Sequence, residues 1–153
     1  MKILVVSDSH GDTAFLEKAL ACTRSADILV HLGDGADDLD LLREYTGRML
    51  VYQCCGNMDF HNPRFSERCI FPAGGVTVFA AHGHMYGVKS GLTHLYCAAK
   101  EKNAALCLFG HTHTQHAETW NGMCVLNPGS IRRGDYAVVT IENSEIKYEL
   151  KQI

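Results

Sequence analysis

Five short stretches of this chain carry side chains of the kind that hold transition metals: Asp8 with His10, Asp34, Asn57, His82, and His111 with His113. Imidazoles, carboxylates and an amide oxygen suit manganese, iron, zinc, cobalt or nickel better than calcium, which takes oxygen alone. Asp8 and His10 are two residues apart, as are His111 and His113, so in extended backbone both members of each pair point the same way. Gly33, Gly56 and Gly110 each precede a candidate ligand and permit a tight turn or a close backbone approach there. Singly, each residue has a plain structural explanation, such as a helix cap for Asp8 or Asp34 and a hydrogen-bonded loop residue for His82. Seven of them in one pattern point to a metal centre.

The elements that must position these side chains are legible in the hydropathy. Ile3 to Val6 is a continuous apolar run, the signature of a strand covered on both faces, and it stops at Ser7-Asp8-Ser9-His10. Phe15, Leu16, Ala19 and Leu20 recur at helical spacing behind Asp12 or Thr13 as cap. Asp27 to Leu32 reads as a second strand ending in Gly33-Asp34. Leu39, Leu42 and Tyr45 line a second helix ending near Gly47, and Met49 to Gln53 forms a third strand just before Gly56-Asn57. A β-α-β-α-β order implies parallel strands joined by right-handed crossovers. Arg68 to Phe71 and Val76 to Ala81 read as a hairpin running into His82-Gly83-His84. Ser90 caps a helix with Leu92, Leu95, Tyr96 and Ala99 on its apolar face, and Leu106 to Phe109 is a strand ending at His111. The remainder, through Asn127-Pro128-Gly129-Ser130, Tyr136 to Ile141 and Ile146 to Leu150, reads as antiparallel strands. Every candidate ligand thus falls at a strand end, where open α/β sheets bind their ligands.

Composition bounds what else the chain does. Its 153 residues, 46% hydrophobic, fill one core, so residues 1–153 read as a single α/β domain. With net charge −3 and no basic run longer than Arg132-Arg133, it lacks the footprint of a duplex nucleic-acid binder. Asp8 and His10 interrupt the first apolar run before a secretory core could form, and no stretch is long enough to span a bilayer. The expectation is a cytoplasmic protein with no membrane partner, compatible with homo-oligomerisation, whose seven cysteines stay reduced. No C-x-x-C pair occurs, and adjacent Cys54 and Cys55 face opposite sides of a strand, so a cysteine zinc site is not expected.

Asp8-x-His10, Gly33-Asp34, Gly56-Asn57, His82-Gly83-His84 and Gly110-His111-x-His113 occur in the order seen in calcineurin-like phosphoesterases, and the resemblance spans nearly the whole chain. The compact length, the hairpin before His82 and the Asn127-Pro128-Gly129-Ser130 segment are most similar to the small bacterial and archaeal phosphodiesterases of that superfamily. The resemblance implies a four-layer α-β-β-α sandwich and two divalent transition-metal ions, manganese foremost. Asp8, His10, Asp34 and His113 would hold one ion, while Asp34, Asn57, His82 and His111 would hold the other, with Asp34 as the bridge. It implies hydrolysis of a small or nucleotide-like phosphodiester by a metal-bridging hydroxide, with Asp34, Asn57 and His82 at the catalytic centre.

One departure stands out. Many relatives carry histidine after the asparagine, in a G-N-H-[DE] motif, to assist the leaving group; here that position is Met58, and Asp59 lacks the imidazole it would orient. The small phosphodiesterases often lack this histidine too. Asp59, His84 and Arg132 remain as residues that support ligands or meet substrate, with Arg132-Arg133 alternatively a solvated pair. His31, His94 and His116 read as structural, and His61 as a solvent-exposed loop residue. Two rival functions follow from the resemblance: a non-catalytic protein-binding scaffold like the retromer subunit of this fold, and a phosphomonoesterase, which the missing histidine disfavours.

Overall fold

The computed structural model describes residues 1–59 and 62–153, which leaves His61 outside the described residues. The chain begins β1 (Lys2–Val6), α1 (Ala14–Cys22), β2 (Ile28–His31), a 3-10 turn (Ala36–Leu42), α2 (Arg43–Thr46) and β3 (Leu50–Gln53). It continues β4 (Arg68–Ala73), β5 (Val76–Ala81), a 3-10 turn (His84–Tyr86), α3 (Thr93–Glu101) and β6 (Leu106–Phe109). It ends β7 (Gln115–Trp120), β8 (Met123–Pro128), a 3-10 turn (Ile131–Arg133), β9 (Asp135–Glu142) and β10 (Glu145–Gln152). One sheet has the order β10-β9-β1-β2-β3 and the other β4-β5-β6-β8-β7.

The alternation of side chains across each strand decides how the layers stack. From β1, Ile3 and Val5 enter a core shared with Val78, Ala80, Leu106 and Leu108 of the second sheet. Leu4 and Val6 point the other way, against Leu16, Ala19 and Leu20 of α1. From the second sheet Phe79, Ala81, Cys107 and Phe109 pack outward against Leu95 and Ala99 of α3. Two mixed sheets face to face with a helical layer outside each make the α-β-β-α sandwich. Within it β1, β2 and β3 are parallel, as are β5 and β6, so their carboxyl ends gather the ligand-bearing residues. Cys54 lies in the core between the sheets while Cys55 packs on Ala36 and Phe65, as their opposite facing predicts, and no disulfide joins the cysteines. Among the described residues no helix is long and apolar enough to cross a membrane.

Several local expectations need correction. Most of the second helix is a 3-10 turn; Leu39 and Leu42 are both buried because three-residue spacing eclipses side chains in that geometry. Leu92, not Ser90, precedes α3, and the Ser90 N–H bonds to the Gly87 carbonyl in a turn of its own. The C-terminal strands are not all antiparallel, because β8 runs parallel to β6 while pairing antiparallel with β7.

Candidate metal centre

Four strand ends, those of β1, β2, β5 and β6, carry the site, and the loops after β1, β2 and β6 have unusual backbone. Asp8, His10, Asp34, His111 and His113 all have positive φ, between 50° and 67°. Non-glycine residues seldom adopt this region, and a cluster of them marks strain maintained by the surrounding structure. The extended geometry expected for Asp8/His10 and His111/His113 is therefore absent. Asp8 and His10 still converge, but His111 and His113 part company and serve two different groups. Asp8, His10 and His113 form one, and Asp34, His82 and His111 the other, with the ligand atoms of each within 4.8 Å of one another.

Within the first group His10 Nε2 is 3.3 Å from His113 Nε2, and His113 Nε2 is 3.1 Å from Asp8 Oδ1. Within the second, His82 Nε2 is 3.1 Å from His111 Nδ1 and 3.4 Å from Asp34 Oδ2. Around an ion with bonds of about 2.0–2.1 Å, neighbouring tetrahedral ligands lie about 3.3–3.4 Å apart, so these spacings are those of donors converging on a cation. The groups adjoin. Asp34 Oδ2 is also 3.9 Å from His10 Nε2, and Asp8 Oδ1 is 4.0 Å from His82 Nε2, so both carboxylates face both groups. Asp8 Oδ1 is buried and forms no hydrogen bond, although His113 Nε2 stands 3.1 Å away, a costly arrangement that a cation between them would relieve.

The tautomer of His82 is fixed by its surroundings. Its Nδ1 lies 2.9 Å from the Leu32 carbonyl, which only accepts, so Nδ1–H donates and Nε2 faces the cluster with its lone pair. Burial works against a charge on His82, but the Asp34 hydrogen bond and the nearby Asp8 and Asp34 carboxylates outweigh it and raise its pKa. Burial likewise opposes ionisation of Asp34, yet His82, the Met58 N–H and His10 bring its pKa down to about 2. His111 is lowered to about 4 by burial, then by His82 and Lys89, which keeps that imidazole neutral and able to ligate.

A model of the calcineurin-like phosphoesterase superfamily domain matches residues 1–144. The chain belongs to this superfamily. This calcineurin-like phosphoesterase is 33% identical over 150 residues to the probable metallophosphoesterase YsnB of Bacillus subtilis, a match covering 94% of this chain and 86% of that one. Its fold superposes on the crystal structure of a predicted phosphoesterase from Streptococcus pneumoniae with a TM-score of 0.82 at 30% identity, covering 99% and 88% of the two chains. At lower identity the fold alone is shared with an archaeal phosphodiesterase (TM-score 0.77, 20% identity, coverage 99% and 100%). The same holds for Vps29 of Entamoeba histolytica complexed with zinc (TM-score 0.79, 19% identity, coverage 100% and 98%).

Supporting residues of this calcineurin-like phosphoesterase explain how the loops are held. Asp59, left without an evident partner by the sequence, accepts four backbone N–H groups. Oδ2 takes Asp34 at 2.9 Å and Gly56 at 2.6 Å, while Oδ1 takes Gly35 at 2.8 Å and Ala36 at 3.1 Å. Asp34 Oδ1 accepts the Met58 N–H at 2.7 Å. Gly56 packs so closely that a Cβ there would lie 2.2 Å from Asp34 Oδ1, and at Gly110 one would meet Ser7 Oγ at 2.0 Å. Asn57 is exposed and stands between Gly56 and Met58, whose backbones pack on Asp34. Asp8 Oδ2 accepts from Ser7 Oγ at 2.5 Å and from the His111 N–H at 3.1 Å. Buried Asn127 donates to the Gly110 carbonyl and to Thr112 Oγ1, both at 3.0 Å, which braces the His111 loop.

His84 is half-buried, its ring 5.3 Å from that of His82 and 6.1 Å from that of His111, at the margin of the second group. Arg132 is exposed on the turn after Ser130, and Ser130 Oγ bonds the Asp8 carbonyl at 2.8 Å. His94 is exposed and His116 sits beside Glu118 and Phe109, away from both groups.

Proposed function

We propose that this chain is a phosphodiesterase that uses two divalent transition-metal ions, manganese foremost, to hydrolyse a small or nucleotide-like diester in the cytoplasm. The observation that carries the reading is the pair of adjoining donor groups faced by both Asp8 and Asp34, with Asp8 Oδ1 buried and forming no hydrogen bond. When bound, such ions neutralise charge on phosphoryl oxygens and make water nucleophilic near neutral pH. Asp8, His10 and His113 would hold one, His82, His111 and Asn57 the other, and Asp34 would span the two. His82 is kept in the ligating tautomer by Leu32, and the Asp59 carboxylate fixes the turn that aims Asp34.

Beside His10 opens a cleft of about 320 Å³, lined also by Met58, Asn62 and Phe65, where the organic part of a substrate fits. Met58 is 50% exposed at its rim, and a thioether has no proton to give a departing alkoxide. A substrate with an acidic leaving group needs none. The scaffold reading gains from the shared fold with Vps29, but the complete donor set favours turnover.

Purified protein loaded with Mn²⁺ and assayed on paired aryl mono- and diesters tests the reading. Diester hydrolysis that chelation abolishes and Mn²⁺ restores, with Mg²⁺ restoring it poorly, is the expected result. Tight metal binding with no turnover on either class would favour the scaffold.

A further inference from the structure

His31 ends β2 on the face that α1 covers, where Leu4, Val6 and Leu29 are all apolar, and it is completely buried. An imidazole among aliphatic side chains costs free energy unless each ring nitrogen is satisfied. Both are, and the donors and acceptors fix the direction of every bond. The Gly33 N–H, which only donates, lies 3.2 Å from Nδ1, so Nδ1 accepts. Ser9 Oγ lies 3.2 Å from the Gly35 carbonyl, which only accepts, so the hydroxyl proton points there. That leaves the Ser9 oxygen to accept from His31 Nε2 at 3.1 Å, and His31 is the neutral Nε2–H tautomer.

The chain Gly33 to His31 to Ser9 to Gly35 links two metal-bearing loops. Ser9 stands between Asp8 and His10, while Gly33 and Gly35 flank Asp34. Backbone bonds from Asp8 N to the Gly33 carbonyl and from His10 N to the Asp34 carbonyl, both 3.0 Å, join the same loops along the near side. The imidazole braces them from beneath. Space is tight, for a Cβ on Gly35 would lie 2.3 Å from Ser9 Oγ and 2.8 Å from His10 N. Loops this closely fitted transmit a shift at Ser9 directly to Asp8 and His10.

We propose that His31 and Ser9 are positioning residues that set the distance between the loop carrying Asp8 and His10 and the loop carrying Asp34, and hence the affinity of the metal centre. The inference rests on the metal reading above, and the test separates the two. Mn²⁺ dissociation constants are measured by chelator competition for the wild type, Ser9→Ala, His31→Gln and His31→Leu, together with the melting temperature of each metal-free protein. Substitutions that disturb groups orienting metal ligands typically weaken binding by about 10–100-fold. Ser9→Ala removes one hydroxyl and keeps the backbone, so a loss of about tenfold is expected there with the metal-free fold intact. His31→Leu, which abolishes both ring contacts, should lose more, and His31→Gln, whose amide can still donate to Ser9, should recover part of it. Ser9→Ala and His31→Gln with wild-type Mn²⁺ affinity but lowered melting temperatures would make the pair merely structural and overturn the inference. A wild type that binds no Mn²⁺ would instead overturn the metal reading itself.

Discussion

Asp59→Ala isolates the cradle beneath Asp34, because the side chain bonds four backbone N–H groups drawn from two separate segments. Hydrogen bonds to a charged group contribute about 1.5–3 kcal/mol each, but four bonds to one carboxylate are not additive, and water entering the adjoining cleft would replace part of them. A net loss of about 3 kcal/mol is expected. For a chain of this length that is a fall of about 6–12 °C in melting temperature. Asp59→Asn should be no better, since its amide nitrogen would face two of the same N–H donors across the position of a lost oxygen. The assay is thermal unfolding followed by circular dichroism in excess chelator, so that any change is intrinsic to the chain and not linked to metal. Adding Mn²⁺ should then stabilise the wild type more than either variant, because the turn that aims Asp34 is no longer fixed. Metal-free melting within about 2 °C of wild type for both substitutions would refute the cradle and return Asp59 to a surface charge.

Three further outcomes are expected. Gly56→Ala, whose Cβ would lie 2.2 Å from Asp34 Oδ1 and 2.3 Å from Asp34 N, should cost about 3 kcal/mol and most Mn²⁺ affinity, read by urea unfolding and chelator competition. Met58→His should accelerate diesters with poor leaving groups more than those with good ones, within the roughly 10²–10⁴-fold range of general acids; unchanged dependence of rate on leaving-group pKa would exclude a proton-donor role at that position. Burial holds His31 at a pKa of about 4 against the pull of Asp59, Asp8 and Asp38. A histidine whose folded pKa lies below its unfolded value of about 6.5 favours the native state above that value and withdraws its contribution as pH falls from there towards 4. Metal-free wild type should accordingly lose about 2 kcal/mol more than His31→Gln between pH 7 and pH 5, as measured by urea titration.

The strand ends were legible in the sequence because buried parallel strands are continuous apolar runs, and Val6, Phe109 and Ala81 each give way abruptly to polar ligands. The hairpin before His82 and the faces of α1 and α3 were legible for the same reason. What escaped is long-range or runs against local preference. The parallel pairing of β8 with β6 joins strands separated by β7, and no local pattern encodes it. Asp59 reaches Asp34, Gly35 and Ala36 from more than twenty residues away, and nothing around it announces four donors. His31 gave a weak signal, a histidine closing an otherwise apolar run just ahead of Gly33-Asp34, but its bonding to Ser9 depends on how two loops meet. Even at the candidate ligands, extended backbone was the wrong geometry, since aspartate and histidine tolerate the left-handed region only when their surroundings impose it.

Those left-handed ligands divide selection for durability from selection for activity. At Asp8, His10, Asp34, His111 and His113 glycine would adopt the observed backbone without strain, while each present side chain carries a penalty on the order of 1–3 kcal/mol. Selection for heat resistance with chelator present, where no ion stabilises the fold, would therefore replace these candidate ligands with glycine or asparagine first, whereas the same selection with Mn²⁺ present would set the linked stability of a bound ion against that strain.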